Sequence, residues 1–313
     1  MKKITMLALA AIITFGITAC KSGSEQVRMA TGGSTGTYYA FGTAVGQILN
    51  EKTGISISVQ STGASKANIQ LIDAGEVELA IVQNDVMDYA WRGVDLFNGE
   101  KTNSFASMAG LYAEVCQVVV SAASGIKNIA DLRGKEVSVG DAGSGVEFNA
   151  RQILEAYGIT FEQIGKHNLS FGASADALRD NKIDAFFCVA GAPTPAIIDL
   201  ATNRDIVILE IDDAHAAQLI TKYPFYTKFP IPGGSYKGQD RVQTVAVKAT
   251  FIVSNKLSED TVYKLTKNLF ESKAQIEAAH VKGTELSPSY AVDGISVPFH
   301  PGAQKYFREI GAL

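Results

Sequence analysis

The sequence has few of the residues that usually carry covalent or metal chemistry. Its 313 residues include three cysteines, four histidines and one tryptophan. The histidines are scattered without metal-ligand spacing, so we predict no metal site, and no cofactor. They are His167, His215, His280 and His300. The chain also lacks a G-x-G-x-x-G dinucleotide motif, a P-loop lysine and a G-x-S-x-G nucleophile motif, which argues against nucleotide binding and against hydrolysis.

There is no excess of positive charge either. The 28 lysines and arginines are outnumbered by 32 aspartates and glutamates, which gives a net charge of −4. With no basic patch, nucleic acid is excluded as a partner. Solenoid repeats and coiled-coil heptads are absent as well. With 46% hydrophobic residues the chain is able to bury the cores of two ordinary lobes.

The N-terminus has the pattern of a secretory signal. Lys2 and Lys3 precede an uncharged apolar run over 4–19, which is short for a membrane span. The sequence ITAC at 17–20 resembles a bacterial lipobox, so we predict a signal peptide over 1–19 and a lipid on Cys20. A plain signal peptide cleaved nearby is the alternative. Residues 20–26 form a polar tether, and the mature protein is expected to be extracytoplasmic and membrane-anchored, at the periplasm or cell surface.

Cleavage removes two lysines and no acids, so the net charge of −4 becomes −6. Two cysteines then remain, Cys116 and Cys188, each inside an apolar run. In an oxidising compartment they are able to form a disulfide, but we favour buried free thiols.

Strand-like and helical runs alternate, which predicts an α/β fold with largely parallel sheet. The predicted strands are 27–31, 56–60, 79–83, 136–140, 184–190 and 206–211, with longer apolar runs at 105–112, 117–121 and 244–254. The predicted helices are 38–52, 64–74, 146–157, 175–180, 195–202, 258–280 and 302–310. Gly54 and Gly75 follow two of these helices as expected C-caps, and Ser258 precedes another as an N-cap.

This order predicts two lobes with crossed connections. The first lobe spans 27–116 and returns over 242–313, and the second spans 117–241. Ligands of open α/β sheets bind at the carboxyl ends of strands. We therefore expect the binding site in a cleft between the lobes, with hinge bending about 116–121 and 241–247.

Two loops rich in glycine and hydroxyl groups each follow a strand and open a helix. They are TGGSTGTYY at 31–39 and GDAGSG at 140–145. A turn of this kind leaves backbone N–H groups unpaired at the positive end of a helix dipole. Such helix starts bind anions, and two of them facing each other predict a clamp for a small organic anion.

The first of these loops resembles the opening of TAXI proteins, the solute receptors of one branch of TRAP transporters. Further matches occur in the family's order along the whole mature chain. They are STGASKAN at 61–68, AIVQNDV at 80–86, DLRGK at 131–135, GSG at 143–145, IDAFF at 183–187, AGAP at 190–193, YPFY at 223–226 and FHPGA at 299–303.

The resemblance implies a type II periplasmic-binding-protein fold, in which each lobe has a mostly parallel sheet flanked by helices. It also implies a receptor that hands its ligand to a membrane permease driven by an ion gradient, without ATP. The sequence departs from the family's pattern at Ala113, Val146 and Cys188, which leaves the ligand open. Family members suggest glutamate, glutamine or 2-oxoglutarate. We expect a monomer.

The candidate ligand-binding residues follow from these loops, with no catalytic residue among them. They are Gly33, Ser34, Thr35, Gly36, Tyr39, Thr62, Gly63, Ala64, Asn68, Gln83, Asn84, Ser144, Gly145, Ala190 and Gly191. The ligand carboxylate is expected to bind at helix N-termini and hydroxyls, with Ser34 and Ser144 prominent. Arg92 and Arg151 lie beside the loops rather than in them.

Two alternatives remain open. One is a receptor on the same fold that serves an ABC importer or a sensor kinase. The other is a serine hydrolase using Ser144, for which no histidine base is apparent. The β-lactamase-like elements SGIK at 124–127 and KTG at 52–54 occur in the wrong order, so chance explains them better.

Overall fold

The computed structural model describes residues 26–313, so the predicted signal peptide and Cys20 lie outside the described residues. The strands are β1 (Gln26–Ala30), β2 (Ser56–Gln60), β3 (Leu79–Gln83), β4 (Phe105–Ser121), β5 (Glu136–Ser138), β6 (Gly165–His167), β7 (Ala185–Ala190), β8 (Ile206–Leu209), β9 (Thr227–Ile231) and β10 (Val242–Ser254). The helices are α1 (Thr37–Thr53), α2 (Ser65–Asp73), α3 (Asn84–Arg92), α4 (Gly145–Ala156), α5 (Phe171–Arg179), α6 (Pro195–Asn203), α7 (Asp213–Lys222), α8 (Glu259–Glu271), α9 (Lys273–Ala279), α10 (Pro288–Val292) and α11 (Pro301–Glu309).

The strands form a mixed sheet in the order β2-β1-β3-β10-β4-β7-β5-β6, with β8 paired to β4 and β9 to β10. Strands β1, β2 and β3 are parallel to one another, and so are β5, β6 and β7. The long strands β4 and β10 are antiparallel to each other and lie between these two parallel groups. The predicted α/β fold, with a sheet flanked by helices, is confirmed. Parallel pairing holds within each of the two groups, whereas every pairing of β4 and β10 is antiparallel.

The two parallel groups define two halves of the molecule. The first half comprises β1–β3 with α1–α3 and α8–α11, and the second comprises β5–β7 with α4–α7. Phe41 and Leu265 are fully buried in the core of the first half, and Phe187 and Leu154 in that of the second. The lobe boundaries near residues 116 and 241 stay a prediction.

Most predicted elements agree with the structure to within a few residues. Gly54 ends α1 in the left-handed conformation, with φ of 70°, and Gly75 after α2 has φ of 72°. Glycine adopts this conformation without the steric cost of a Cβ atom. The Ser258 hydroxyl accepts from the N–H of Thr261, which confirms the predicted N-cap of α8.

Two predicted elements were wrong. The apolar runs 105–112 and 117–121 are one strand, β4, whose 17 residues are all buried. A strand buried on both faces is apolar along its whole length, and Glu114 interrupts that pattern in the sequence. The predicted helix 258–280 is two helices, because α8 ends at Glu271 and α9 begins at Lys273. The residue between them, Ser272, is of a type that favours helix ends over helix interiors.

Cys116 and Cys188 are free and buried, as predicted. They lie on the adjacent strands β4 and β7, where Cys188 pairs with Gln117 rather than with Cys116. Within residues 26–313, no helix combines the length and apolar character needed to cross a bilayer.

Candidate binding site

A cleft of about 560 Å³, counted to its open mouth, lies between the two halves. It is lined from the first half by the starts of α1 and α2 and by the end of β3, and from the second half by the starts of α4 and α5 and the end of β7. The lining residues are Gly32, Gly33, Thr35, Gly36, Thr37, Tyr38, Ala64, Ser65, Gln83, Glu114, Asp141, Ser144, Gly145, Val146, Ser170, Phe171, Val189 and Ala190. The cleft thus lies where strands end and helices begin, as the sequence predicts for an open α/β sheet.

The loop after β1 brings the start of α1 to the cleft. Gly36 precedes the helix in an extended conformation and makes no side-chain cap, so the first N–H groups of α1 have no partner within the helix. The same loop contacts the second half, because Thr37 donates through its hydroxyl to the carbonyl of Gly191 over 2.7 Å. The N–H of Ala196 also donates to the carbonyl of Thr35 over 3.1 Å.

The loop before α4 supplies the opposite wall. The buried Ser144 hydroxyl accepts from the N–H of Glu147 over 3.2 Å, which caps α4. Gly145, the first residue of the helix, approaches Gln83 so closely that a Cβ atom there would lie 1.5 Å from Gln83 Oε1. That oxygen is buried and accepts no hydrogen bond from any of the described residues. The two halves therefore meet tightly at this point.

Eight of the predicted ligand-binding residues line the cleft: Gly33, Thr35, Gly36, Ala64, Gln83, Ser144, Gly145 and Ala190. Seven lie beside it instead: Ser34, Tyr39, Thr62, Gly63, Asn68, Asn84 and Gly191.

Among these seven, Asn68 and Asn84 form hydrogen bonds with the main chain. Asn68 Nδ2 donates to the carbonyls of Thr31 and Ile81, and Asn68 Oδ1 lies 2.5 Å from the hydroxyl of Thr62. Asn84 Oδ1 accepts from the N–H of Lys248 over 3.0 Å. These amides hold neighbouring strands and loops together, and their hydrogen bonds leave little capacity for a ligand.

Glu114 and Tyr38 are cleft residues that the sequence reasoning did not select. The Tyr38 hydroxyl donates to Glu114 Oε2 over 2.7 Å, and both side chains are buried. The sequence does contain a sign of this pair, because Glu114 is the single acidic residue in the apolar stretch that forms β4. Buried carboxylates are rare unless they are paired or functional, so this acid was a candidate from sequence alone.

The charge of the cleft is unusual for an anion site. Its lining includes the carboxyl groups of Glu114 and Asp141 but, among the described residues, no lysine, arginine or histidine. Burial raises the pKa of Glu114 well above its usual range, an effect that the Tyr38 hydrogen bond opposes. Burial also raises the pKa of Asp141. Any positive potential for a carboxylate must therefore come from helix N-termini.

Two other kinds of site were considered, a serine hydrolase site at Ser144 and a metal site. None of the four histidines lines the cleft beside Ser144, so this serine has no imidazole base there. Within residues 26–313, no group of three His, Cys, Asp or Glu side chains is placed to hold a metal ion.

Several solved structures share this fold, and two of the three described here are binding proteins of ABC transporters. The alkanesulfonate-binding protein SsuA from Xanthomonas axonopodis pv. citri, bound to MOPS, is 13% identical, with a TM-score of 0.52 over 90% of this chain and 83% of its own. A binding protein of a phosphonate ABC transporter from Pseudomonas aeruginosa is 12% identical, with a TM-score of 0.53 over 83% of this chain and 79% of its own. The substrate-binding protein of an amino acid ABC transporter is 14% identical, with a TM-score of 0.52 over 83% of this chain and all of its own.

At these identities the solved structures show the fold alone, namely that of type II periplasmic binding proteins. A scan against protein families goes further. It matches residues 29–311, nearly all of the described chain, to a single family. The chain therefore belongs to the NMT1-like family.

Proposed function

We propose that this protein is an extracytoplasmic solute receptor that closes its two halves around a small organic acid and delivers it to a membrane transporter. The observation that carries the proposal is the cleft, whose walls come from both halves and from the starts of several helices. A ligand that touches both walls favours the closed form by the difference in its contacts with the closed and open forms.

The ligand's carboxylate binds at the starts of α1 and α4. These helices are 17 and 12 residues long and begin at the cleft. The first N–H groups of a helix have no acceptor within it, and in α4 that of Glu147 donates to the Ser144 hydroxyl. A helix N-terminus carries a partial positive charge and aligned donors, so an anion is stabilised there without a lysine or arginine. The lining without basic side chains agrees with this arrangement.

Opening and closing take place about β4 and β10. These two strands are the longest of the described chain and pair with each other across the middle of the sheet, for example Val115 with Ala246. Each runs from the first half into the second, so small backbone changes along them separate the halves. Hinges of this kind absorb domain closure in a few residues.

Two kinds of transporter are candidates for the partner. The sequence motifs resemble the TAXI receptors of TRAP transporters, which use an ion gradient. The solved neighbours named above include binding proteins of ABC transporters, which favours an ATP-driven importer at least as strongly. Uptake of the solute by cells separates the two, since an ionophore stops the first transporter and depletion of ATP alone stops the second.

The location of the protein rests on its N-terminal sequence. We propose that Cys20 is the mature N-terminus and carries lipid, because ITAC at 17–20 resembles a lipobox. Paired acyl chains would anchor the protein far more firmly than one chain. Cys20→Ser should release the protein from the membrane fraction. A wild-type protein that is already free of the membrane would contradict lipidation of Cys20 but not the proposed receptor function.

Ligand binding itself is tested with the full mature chain. Native mass spectrometry of the purified protein, followed by titration with a panel of amino acids and small carboxylic acids, should show one bound molecule per chain that is recovered chemically unchanged. Turnover that Ser144→Ala abolishes would instead support the hydrolase alternative. Failure of every small organic acid to bind would overturn the proposal.

A further inference from the structure

Glu114 is the single charged residue of β4, the strand that passes beneath the cleft between β10 and β7. Its side chain is 2% exposed, yet it contributes to the cleft lining. Burying a carboxyl group costs free energy unless a partner compensates for the lost water. The question is therefore which partner Glu114 meets in the cleft.

The protein itself satisfies only one oxygen of this carboxyl group. Glu114 Oε2 accepts from the hydroxyl of Tyr38 over 2.7 Å. Tyr38 lies in the first turn of α1, is 7% exposed and also lines the cleft. Among residues 26–313, no donor reaches Glu114 Oε1 within hydrogen-bond distance. Tyr38 thus holds the carboxyl group in one orientation and leaves an acceptor for an incoming group.

No basic side chain neutralises Glu114 directly. Lys282, whose charge lowers the pKa of Glu114, is buried and is bonded through Nζ to Glu285 Oε1 over 2.6 Å, and neither Lys282 nor Glu285 lines the cleft. The other titratable groups around Glu114 come from several elements: Asp85 on α3, Tyr112 and Cys116 on β4, Cys188 on β7, Lys248 on β10 next to the residue that pairs with Glu114, and Tyr290 on α10.

We propose that Glu114, positioned by Tyr38, binds the protonated amine of an amino acid whose carboxylate lies against the starts of α1 and α4. The inference rests on the proposed receptor function and names its ligand class. An ammonium group carries the positive charge that the cleft lining lacks, and it donates to Glu114 Oε1, which has no other donor. A 2-oxo acid of the same skeleton brings a second acceptor to this point instead, so the cleft discriminates against it.

The amine acts against the shift in the pKa of Glu114. Burial raises the pKa of Glu114 well above its usual range, and the charge of Asp85 raises it further, while the Tyr38 hydrogen bond and Lys282 lower it. A positive charge beside a carboxyl group stabilises its charged form, so the ammonium group compensates for the burial of the carboxylate.

The test uses L-glutamate and 2-oxoglutarate, which differ only in amine and ketone, together with the other amino acids and their 2-oxo counterparts. Calorimetric titration of the full mature chain should show that an amino acid binds about ten- to hundredfold more tightly than its 2-oxo acid, the effect of one hydrogen bond to a charged group.

Glu114→Gln should abolish the preference for the amine, because an amide keeps the shape and the Tyr38 bond but not the charge. Glu51→Gln removes an exposed acid from the same helix as Tyr38 and should leave that preference unchanged. A 2-oxo acid that binds wild type as tightly as its amino acid, or an E114Q variant that keeps the selectivity, overturns this inference and leaves the receptor proposal standing. Binding of other organic acids but of no amino acid would also overturn this inference and leave the receptor proposal standing.

Discussion

Gln83 and Asn149 join the two halves of the molecule through a direct hydrogen bond, in which Gln83 Nε2 donates to Asn149 Oδ1 over 2.9 Å. Asn149 lies on α4 and is fully buried, and its Nδ2 donates in turn to Asp85 Oδ2 and to the hydroxyl of Tyr226. The network therefore ties the end of β3 and the start of α3 to the opposite half. It joins residues of the two halves, so under the proposed function it favours the closed form.

Asn149→Ala should weaken ligand binding by about tenfold to a hundredfold, because it leaves Asp85 and Gln83 without their partner in the closed form. A hydrogen bond to a charged group contributes about 1.5–3 kcal/mol, and 1.4 kcal/mol corresponds to a tenfold change in affinity. Calorimetry measures the affinity, and small-angle scattering should show a larger radius of gyration. Asn203→Ala, on the exposed end of α6, is the control. Unchanged affinity and radius in N149A would show that the network has no part in closure.

Gly145→Ala should prevent full closure. The added methyl group would lie 1.5 Å from Gln83 Oε1 and 2.9 Å from Val86 Cγ2, both in the opposite half. Gly145 lies at the contact between the halves, so we expect thermal unfolding to change less than affinity, which should decrease by at least about tenfold, the equivalent of 1.4 kcal/mol. At Gly33, which lines the same cleft, a methyl group meets no atom within 4 Å. Gly33→Ala should therefore lower the affinity for ligand less than Gly145→Ala does. Normal binding by G145A would show that the Gln83 side chain moves aside at little cost and that this contact does not limit closure.

Ser144→Ala should weaken ligand binding as well as stability, because Ser144 both caps α4 and lines the cleft. Loss of an N-cap costs about 0.5–2 kcal/mol of stability. Ser258 caps α8 in the same way and lies outside the cleft lining, so Ser258→Ala should reproduce the loss of stability without the loss of affinity. Thermal unfolding and calorimetry on both variants separate the two effects.

Arginine variants test whether a guanidinium group, rather than the helix N-termini, binds the ligand's carboxylate. Arg92 pairs with Asp88 within α3, and Arg151 donates to Asp95 across the halves over 2.8 Å at an exposed position. Exposed ion pairs contribute little, so Arg92→Ala and Arg151→Ala should change affinity far less than Ser144→Ala does. An arginine variant that abolishes binding while S144A binds normally would contradict carboxylate binding at helix N-termini.

The buried carboxyl group of Asp85 should make stability depend on pH in the direction opposite to most aspartates. Burial raises its pKa from 3.8 to about 6, against the hydrogen bonds from Asn149 and the N–H of Val86. The folded protein thus binds a proton more tightly than the unfolded chain does. At pH 7.5 the buried charge costs about 3 kcal/mol at 1.36 kcal/mol per pH unit, and this cost is relieved as the pH falls through 6 toward 4.

The measurement is the free energy of unfolding of wild type minus that of Asp85→Asn, taken from pH 7.5 to pH 4 without ligand. The difference should become more favourable to wild type as the pH falls, by up to about 3 kcal/mol. Subtraction cancels the contribution of His280 and His300, whose pKa values burial lowers. A difference that does not change with pH would show that Asp85 titrates as in the unfolded chain.

The sequence by itself determined the elements and the ends of many of them. Gly54, Gly75 and Ser258 specify helix ends through their own backbone and hydroxyl chemistry, which acts over a few residues. The same local chemistry predicted that glycine-rich turns start α1 and α4, and so where helix N-termini face the cleft. Signals of this range do not depend on the rest of the fold.

Only the tertiary structure decided which side chains of those loops face the cleft. Asn68 and Asn84 have the amides expected of ligand-binding residues, yet strand pairing brings main-chain groups close enough to take their hydrogen bonds. Conversely, the contact of Tyr38 with Glu114 joins residues 76 positions apart. It arises from the path of β4 under α1, because the partners of a buried polar group are fixed by the packing of distant elements and not by its neighbours in sequence.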